Sequence, residues 1–149
     1  GSGKATIYRR WPSRANLLLD TAHSMGLHPE AVDTGSVQGD LVRLVSQLAT
    51  KLRDTPAGRI MPGVIAEASV NPEMRQVLAA FIRDRRERPR EVVERAVARG
   101  ELPPDTDVEL VLDLVGAVPF YRELVSGQPM DERYAERVVE VVLAGLGRS

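Results

Sequence analysis

Apolar residues recur every three or four positions along most of this 149-residue chain, which is the spacing of one side of an α-helix. The stretch that begins near Gln38 shows it most plainly, with Leu41, Leu44 and Leu48 on one side. Gly and Pro separate such stretches, and none of them alternates apolar and polar residues for long enough to predict a strand. The sequence therefore predicts an all-α fold.

Caps and helix breakers set the expected boundaries. The helices are expected at about 4–11, 13–25, 38–53, 57–70, 72–99, 107–125 and 131–146. Asn71 is the expected N-cap of the fifth of these, and Gly100 its end. Pro62 predicts a kink or a split in the helix at 57–70, and Pro89 predicts a kink in the helix at 72–99.

Composition narrows the class of protein. Hydrophobic residues make up 43% and charged residues 28% of the chain, so a packed core is expected rather than disorder. The absence of cysteine excludes disulfides and thiolate metal sites. No apolar run approaches the roughly 20 residues that span a bilayer. We therefore expect a cytoplasmic protein with no membrane partner, no metal and no cofactor.

The last two predicted helices are apolar on nearly every side. A helix of that kind must be buried all round, and one small core can hardly hide two of them. Two such helices from each of two chains would form a four-helix interface, which predicts a homodimer. The alternative is a central helical hairpin in a monomer. The candidate interface residues are Val111, Leu114, Val115, Val118, Val138, Val141 and Val142.

The N-terminal segment is basic, although the formal net charge of the whole chain is −1. Residues 1–14 contain four cations and no acid. On a helix, Ile7 and Trp11 share one side, while Thr6 and Arg9 point elsewhere. An apolar back with small, polar and cationic residues opposite is what a helix needs to read the major groove of DNA.

This segment resembles the recognition helix of TetR-family repressors and the helix that follows it. The family pattern begins with Thr, an aliphatic residue and Tyr at consecutive positions. An aromatic residue follows three positions after the Tyr, a basic residue three positions after that, and a Leu three positions later again. The matching residues here are Thr6, Ile7, Tyr8, Trp11, Arg14 and Leu17. The helical remainder, which closes in two apolar helices, is similar in layout to the family's ligand-binding and dimerisation domain.

The resemblance implies a partial helix-turn-helix over 1–26 and a ligand-binding and dimerisation domain over 27–149. In the family, two further helices precede the recognition helix. We expect neither of these two helices within this chain. The residues implied to contact bases or phosphates of double-stranded operator DNA are Lys4, Ala5, Thr6, Tyr8, Arg9, Arg10 and Arg14. Ile7, Trp11 and Leu17 are implied to be structural.

By the same resemblance, the helical body holds a cavity for a small-molecule effector. Met and aromatic residues suit an adaptable apolar pocket, although the same residues also suit a plain core. The candidates are Met61, Val64, Ile65, Met74, Leu78, Phe81, Ile82, Phe120, Tyr121 and Leu124. Arg85, Arg122 and Glu123 are candidates either for polar contacts with a ligand or for surface ion pairs.

The function expected is that of a DNA-binding transcriptional regulator, a repressor that a small molecule releases from its operator. The alternative is a helical dimeric module that binds a ligand or a protein but not DNA. An enzyme is not expected, because His23 and His28 are the only histidines and no nucleophile, base and acid can be grouped around them. A phosphate-binding loop at residues 1–4 is not expected either, because Ala5 replaces the Ser or Thr that follows the lysine of that motif.

Overall fold

The computed structural model describes residues 29–147 and, before them, Leu17, Asp20, Thr21, Ser24 and Leu27. Six α-helices lie within residues 29–147, joined by short connections, and this part of the chain contains no strand. They are α1 (Val37–Asp54), α2 (Pro56–Val70), α3 (Pro72–Arg85), α4 (Glu87–Ala98), α5 (Val108–Phe120) and α6 (Glu132–Leu146). A π-helical segment, Tyr121–Ser126, continues α5. The predicted all-α fold is confirmed.

Side-chain caps begin most of these helices, as their sequence predicts. Asn71 Oδ1 accepts hydrogen bonds from the amides of Glu73 and Met74, at 3.0 and 3.3 Å. Gly100, with φ of +75°, follows the end of α4 in the left-handed conformation that glycine adopts most readily. The predictions for Asn71 and Gly100 are both confirmed.

The chain between 72 and 99 forms two helices rather than one kinked helix. The break lies at Arg86, three residues before the proline that was expected to cause a kink. Pro89 has no N–H for the carbonyl of Arg85, and its ring crowds that carbonyl, so α3 cannot continue past it. Within α4, Pro89 sits in the first turn, where a missing N–H costs nothing. By contrast, Pro62 does not split α2. The helix continues past it without a break, and the side chains of Met61 and Val64 on either side of the proline are both buried.

The helix predicted at 107–125 changes its winding near its end. Pro119 provides no N–H for the carbonyl of Val115, and the residues from Tyr121 onward form a π-helix. Gly127, with φ of +65°, ends this segment. The wider turn therefore begins two residues beyond Pro119, which cannot make the regular hydrogen bond.

Helix α1 is the central element of the body. It packs against α2, α4, α5, α6 and the π-helical segment, while α3 packs against α2 and α4. The buried apolar residues divide into two clusters. The larger one joins α1, as far as Ala49, to α4, α5 and α6, and the smaller one joins the end of α1 to α2 and α3.

A buried carboxylate fixes the segment that leads into α1. Asp40 has no exposed surface. It accepts hydrogen bonds from the amide and the hydroxyl of Thr34, at 2.6 and 2.8 Å, and from Arg95 at 3.2 Å. Arg95 also donates to the carbonyl of Val32 at 2.6 Å, and Arg99 lies 3.6 Å from the same carboxylate. Residues 32–34 are thereby attached to both α1 and α4.

Burial by itself raises the pKa of Asp40, but the hydrogen bonds from Thr34 and Arg95 outweigh it, so the pKa lies below its ordinary value. A carboxyl whose pKa is lower in the folded than in the unfolded protein stabilises the fold at neutral pH. That contribution is lost as the pH falls through the pKa of the folded state.

We expect Asp40→Asn to lower the free energy of unfolding by about 2–3 kcal/mol at pH 7, because an amide at this buried position cannot balance the charge of the half-buried Arg95. The difference from wild type should shrink as the pH falls through the lowered pKa of Asp40 in the folded protein, where the wild-type carboxyl becomes protonated. Urea denaturation between pH 3 and pH 7 measures it. Asp33→Asn is the control, since the exposed Asp33 lies near the same two arginines and should change stability by less than about 0.5 kcal/mol. Equal effects of the two substitutions would contradict the role of the buried carboxylate.

The junction of α1 and α2 requires a glycine. A Cβ placed on Gly58 would lie 2.6 Å from the Cα of Leu52 and closer still to its carbonyl oxygen. Gly63, on the same helix, has open space around the corresponding position.

We therefore expect Gly58→Ala to destabilise the protein by about 1–3 kcal/mol, because backbone must move to admit a methyl group. Gly63→Ala should be neutral or stabilise the protein by up to about 1 kcal/mol, since alanine favours the helix. Urea denaturation of both variants, at one protein concentration, provides the comparison. A neutral Gly58→Ala would show that the two helices separate easily.

Candidate ligand-binding cavity

A partly open cavity of about 540 Å³ lies between α1, α2, α3 and α5, beside the start of α4. It lies where the two apolar clusters meet. Leu44, Leu112 and Val115 of the larger cluster form part of its wall, and Leu27 and Met61 of the smaller cluster form another part. Its volume and apolar lining are those of a small-molecule site.

Six of the ten residues predicted for a ligand pocket line this cavity. They are Met61, Ile65, Leu78, Phe81, Ile82 and Phe120. Val64 and Met74 do not line it, because they are buried inside the smaller cluster. Leu124 packs against the outside of that cluster, and Tyr121 is exposed on the surface.

The cavity wall also contains residues that the sequence did not single out. Helix α1 contributes Leu44, Gln47, Leu48 and Lys51. These four positions follow the helical repeat, but a Gln and a Lys on a helix usually face solvent, so their place in the wall depends on the packing of the other helices. The side-chain Oε1 of Gln47 is buried and has no hydrogen-bond partner among the described residues.

The segment before α1 closes part of the cavity. Leu27 and Pro29 both line it. The carbonyl of Pro29 accepts a hydrogen bond from Arg88 at 3.3 Å, and Glu30 lies 3.8 Å from Lys51. A molecule in the cavity would therefore touch the stretch of chain that joins residues 1–26 to the helical body.

Arg85 is the only one of the three predicted polar candidates in the cavity wall. Its guanidinium lies 4.0 Å from the centroid of the Phe81 ring. Burial lowers its pKa, and Asp84 opposes that shift, but an arginine stays charged at any physiological pH. Arg122 stacks on Tyr134, and Glu123 pairs with Arg53. Arg122 and Glu123 therefore make contacts within the protein and do not line the cavity.

A second, larger groove of about 890 Å³ runs along α1 and the start of α6. Exposed polar side chains, such as Arg43, Thr50 and Glu136, form most of its wall. A groove of this kind leaves a small molecule largely in water, so the apolar cavity is the better candidate for a ligand site.

The apolar residues that were predicted for a dimer interface divide by their exposure. Leu114 and Val141 are exposed, while Val118 and Val138 are half-buried against the larger cluster. Val111, Val115 and Val142 are buried within the chain's own fold. Val111 has no accessible surface at all, so it cannot contact a second chain without rearrangement.

Three exposed residues on the same side as Leu114 were not predicted for an interface. They are Leu110, Tyr121 and Val125. Steps of 4, 7 and 4 positions separate 110, 114, 121 and 125, which keeps all four on one side of a helix. Counting the helical phase from Leu114 would have found them. We call the surface formed by Leu110, Leu114, Tyr121 and Val125 the α5 face.

The predicted DNA-contact residues lie outside the described part of the chain. They are Lys4, Ala5, Thr6, Tyr8, Arg9, Arg10 and Arg14. Within the described residues, no group of three or more His, Cys, Asp or Glu side chains is placed to hold a metal ion. In the same part of the chain, no helix is both long enough and apolar enough to cross a membrane.

A helical body with an apolar cavity and an exposed apolar face has the features of a small-molecule-responsive regulatory domain. Comparison with known proteins identifies the family to which this domain belongs. The family model described as "Tetracyclin repressor-like, C-terminal domain" matches residues 31–142. The chain belongs to the TetR family of transcriptional regulators.

Individual relatives extend this match over almost the whole chain. A DNA-binding transcriptional repressor TetR of Mycobacteroides abscessus is 32% identical, and the alignment covers 99% of this chain and 78% of that protein. An uncharacterized HTH-type transcriptional regulator of Mycobacterium bovis is 31% identical, over 99% and 74%. The crystal structure of the TetR family transcription regulator SCO0332 superposes with a TM-score of 0.77 at 28% identity, over 97% and 81%. All three are described as regulators of transcription.

Proposed function

We propose that this regulator is a repressor that binds operator DNA as a homodimer and leaves it when a small-molecule effector occupies the cavity of about 540 Å³. The observation that carries the proposal is that Leu27 and Pro29 belong to the cavity wall. Residues 1–26 form the DNA-reading part in this proposal, and residues 27–149 form the ligand-binding and dimerisation part.

The contacts of residues 27–34 support coupling between the cavity and the DNA-reading part. Leu27 packs in the smaller apolar cluster, while Val32 and Thr34 are fixed by Arg95 and Asp40. The end of this segment nearer α1 is therefore held firmly, and the end nearer residues 1–26 touches the cavity. Leu27 and Pro29 can occupy more than one position in this proposal. A ligand that binds more tightly to one of these positions raises the population of that position.

In a dimer, such a shift changes the distance between the two reading helices. Successive major grooves on one side of B-DNA are about 34 Å apart, and a pair of helices that no longer matches this spacing loses affinity. Lys4, Ala5 and Thr6 are the proposed contacts with base edges or nearby phosphates, Arg9 is proposed to face the groove, and Tyr8 is proposed to contact the DNA backbone. Arg10 and Arg14 are the proposed phosphate contacts.

The proposed dimer interface consists of the α5 face together with Val141 and the half-buried Val118 and Val138. The four large apolar side chains of the α5 face lie in a row on the surface, and a row of this kind marks an interaction site. Helix α6 packs directly against α5 and carries Val141, whose side chain is 74% exposed. A second copy of the chain is the partner that covers both helices.

Fluorescence anisotropy tests the DNA-binding part of the proposal. The complete protein, as its gene encodes it, should bind DNA from upstream of that gene more tightly than random DNA, with an affinity that falls steeply between two salt concentrations. Arg10→Gln should weaken binding to both DNAs and lower the salt dependence by about one released ion. Arg59→Gln, an exposed substitution on α2, is the control that should change neither. Binding no tighter than to random DNA would favour the alternative, a helical dimer that binds a ligand or a protein.

Sedimentation velocity tests the proposed interface. We expect Leu114→Glu and Val141→Glu each to weaken dimerisation at least about tenfold, because a carboxylate would be buried without a partner. Val70→Glu is the matched control, since Val70 is 82% exposed but lies at the end of α2, away from both helices. A dimer that is equally stable in all three variants would show that the interface lies elsewhere.

A further inference from the structure

The cavity wall is mainly apolar, and few of its side chains can form a hydrogen bond or an ion pair. Leucines of α1, α3 and α5, together with two phenylalanines, make up much of it. Among the described lining residues, the side chains with polar groups are Gln47, Lys51, Arg85, Arg86 and Asp113.

Every charged side chain of the wall is paired with an opposite charge. Arg86 and Asp113, which both line the cavity, lie 2.6 Å apart, and Glu109 lies 3.4 Å from the same arginine. The other pairs are Lys51 with Glu30 at 3.8 Å and Arg85 with Asp84 at 2.6 Å.

These pairs disfavour a charged ligand of either sign. An anion in the cavity would compete with the carboxylates that the cations already have, and a cation would compete with Arg86 for Asp113. A charged group would also lose its hydration among apolar side chains, which is costly without a dedicated partner. The wall is therefore suited to a molecule that has no charge.

Gln47 is the polar side chain of the wall that has an unused hydrogen-bonding atom. Its Oε1 is buried and has no hydrogen-bond partner among the described residues. Leu44 and Leu48, its neighbours on the same side of α1, also line the cavity. The last torsion of a glutamine side chain has a broad range, so the amide can turn its oxygen toward the cavity. A buried acceptor without a donor is unfavourable, and a ligand that donates to it removes that cost.

We propose that the cavity binds an uncharged molecule with an apolar body and one hydrogen-bond donor, such as a hydroxyl group, which donates to the amide oxygen of Gln47. The apolar body would lie against Met61, Leu78 and Phe120, which line the cavity. The inference rests on the proposed function only in naming the cavity as the effector site.

Four ligands with a short alkyl chain test the proposal on the chain as it stands. Isothermal titration calorimetry compares octan-1-ol with its isomer 1-methoxyheptane, an ether that has no donor, and with octanoate and octyltrimethylammonium. A wall without a free acceptor favours the ether over the alcohol, because the alcohol loses more hydration. We expect octan-1-ol to bind at least about fivefold more tightly than the ether, as one hydrogen bond provides, and at least about tenfold more tightly than either ion.

Substitution of Gln47 locates the effect. Gln47→Met keeps an unbranched side chain of similar length and removes the acceptor. It should abolish the advantage of octan-1-ol over 1-methoxyheptane, while the affinity for the ether stays nearly constant. Gln38→Met is the matched control, since Gln38 is exposed on the same helix and does not line the cavity. This control should leave the advantage unchanged. If Gln47→Met impairs folding, Gln47→Leu takes its place, and the four affinities of the wild-type protein still decide the ligand class.

Binding of either ion as tightly as octan-1-ol overturns the proposal, and so does binding of the ether as tightly as the alcohol. The absence of binding by all four ligands overturns it too, as does an advantage of the alcohol that survives the loss of the Gln47 amide. These titrations contain no DNA, so their outcome is separate from that of the repressor proposal. A preference for octan-1-ol in a protein that fails to bind DNA would leave the cavity's ligand class standing and remove only the regulatory role.

Discussion

The carboxylate of Asp40 is the contact on which the path of the chain before α1 depends. A buried charge is costly unless hydrogen bonds and opposite charges surround it, and here Thr34, Arg95 and Arg99 do so. The position of Asp40 in the first turn of α1 adds the favourable field of a helix N-terminus. Because Arg95 also holds the carbonyl of Val32, the same group of side chains fixes the segment, α1 and α4 against one another. The stretch that reaches back to Leu27 therefore starts from a fixed point.

The cavity follows from the way the two apolar clusters meet. Helix α1 belongs to both clusters, but Gln47 and Lys51 lie on its cavity side among the leucines. Arg86, which lies between α3 and α4, pairs with Asp113 and Glu109 of α5. An ion pair and an amide thus stand among the apolar residues that line the cavity.

The fold was largely predictable from the sequence, and its exceptions have local causes. The start of a helix at a residue such as Asn71 depends on one side chain that accepts hydrogen bonds from nearby backbone amides. A sequence shows such a residue directly. The break at Arg86 was misplaced because the proline acts on a carbonyl four residues earlier. The winding after Pro119 depends on how the following turn packs, which the sequence does not show.

The candidate site was predictable only in part, for a different reason. Met61, Phe81 and Phe120 were named because apolar residues at helical spacing face inward. Whether an inward side chain faces a cavity or another side chain is decided by the neighbouring helices, and Val64 and Met74 face other side chains. Lys51 was missed because a lysine on an amphipathic helix ordinarily lies in solvent. Tyr121 was assigned to the wrong side of its helix, where counting from Leu114 would have placed it on the surface.

The π-helical segment brings the two proposed binding surfaces within one residue of each other. Phe120 lines the cavity, whereas the next residue, Tyr121, is exposed on the α5 face. Consecutive residues on a helix point about 100° apart, so a single turn can serve the inside and the outside of the body at once. Pro119 weakens the hydrogen bonding of this turn, which lowers the cost of a small change in its winding. In the proposed regulator, a ligand that displaces the Phe120 ring therefore acts on a turn that also contacts the second subunit, and the same ligand would touch Leu27, which also lines the cavity.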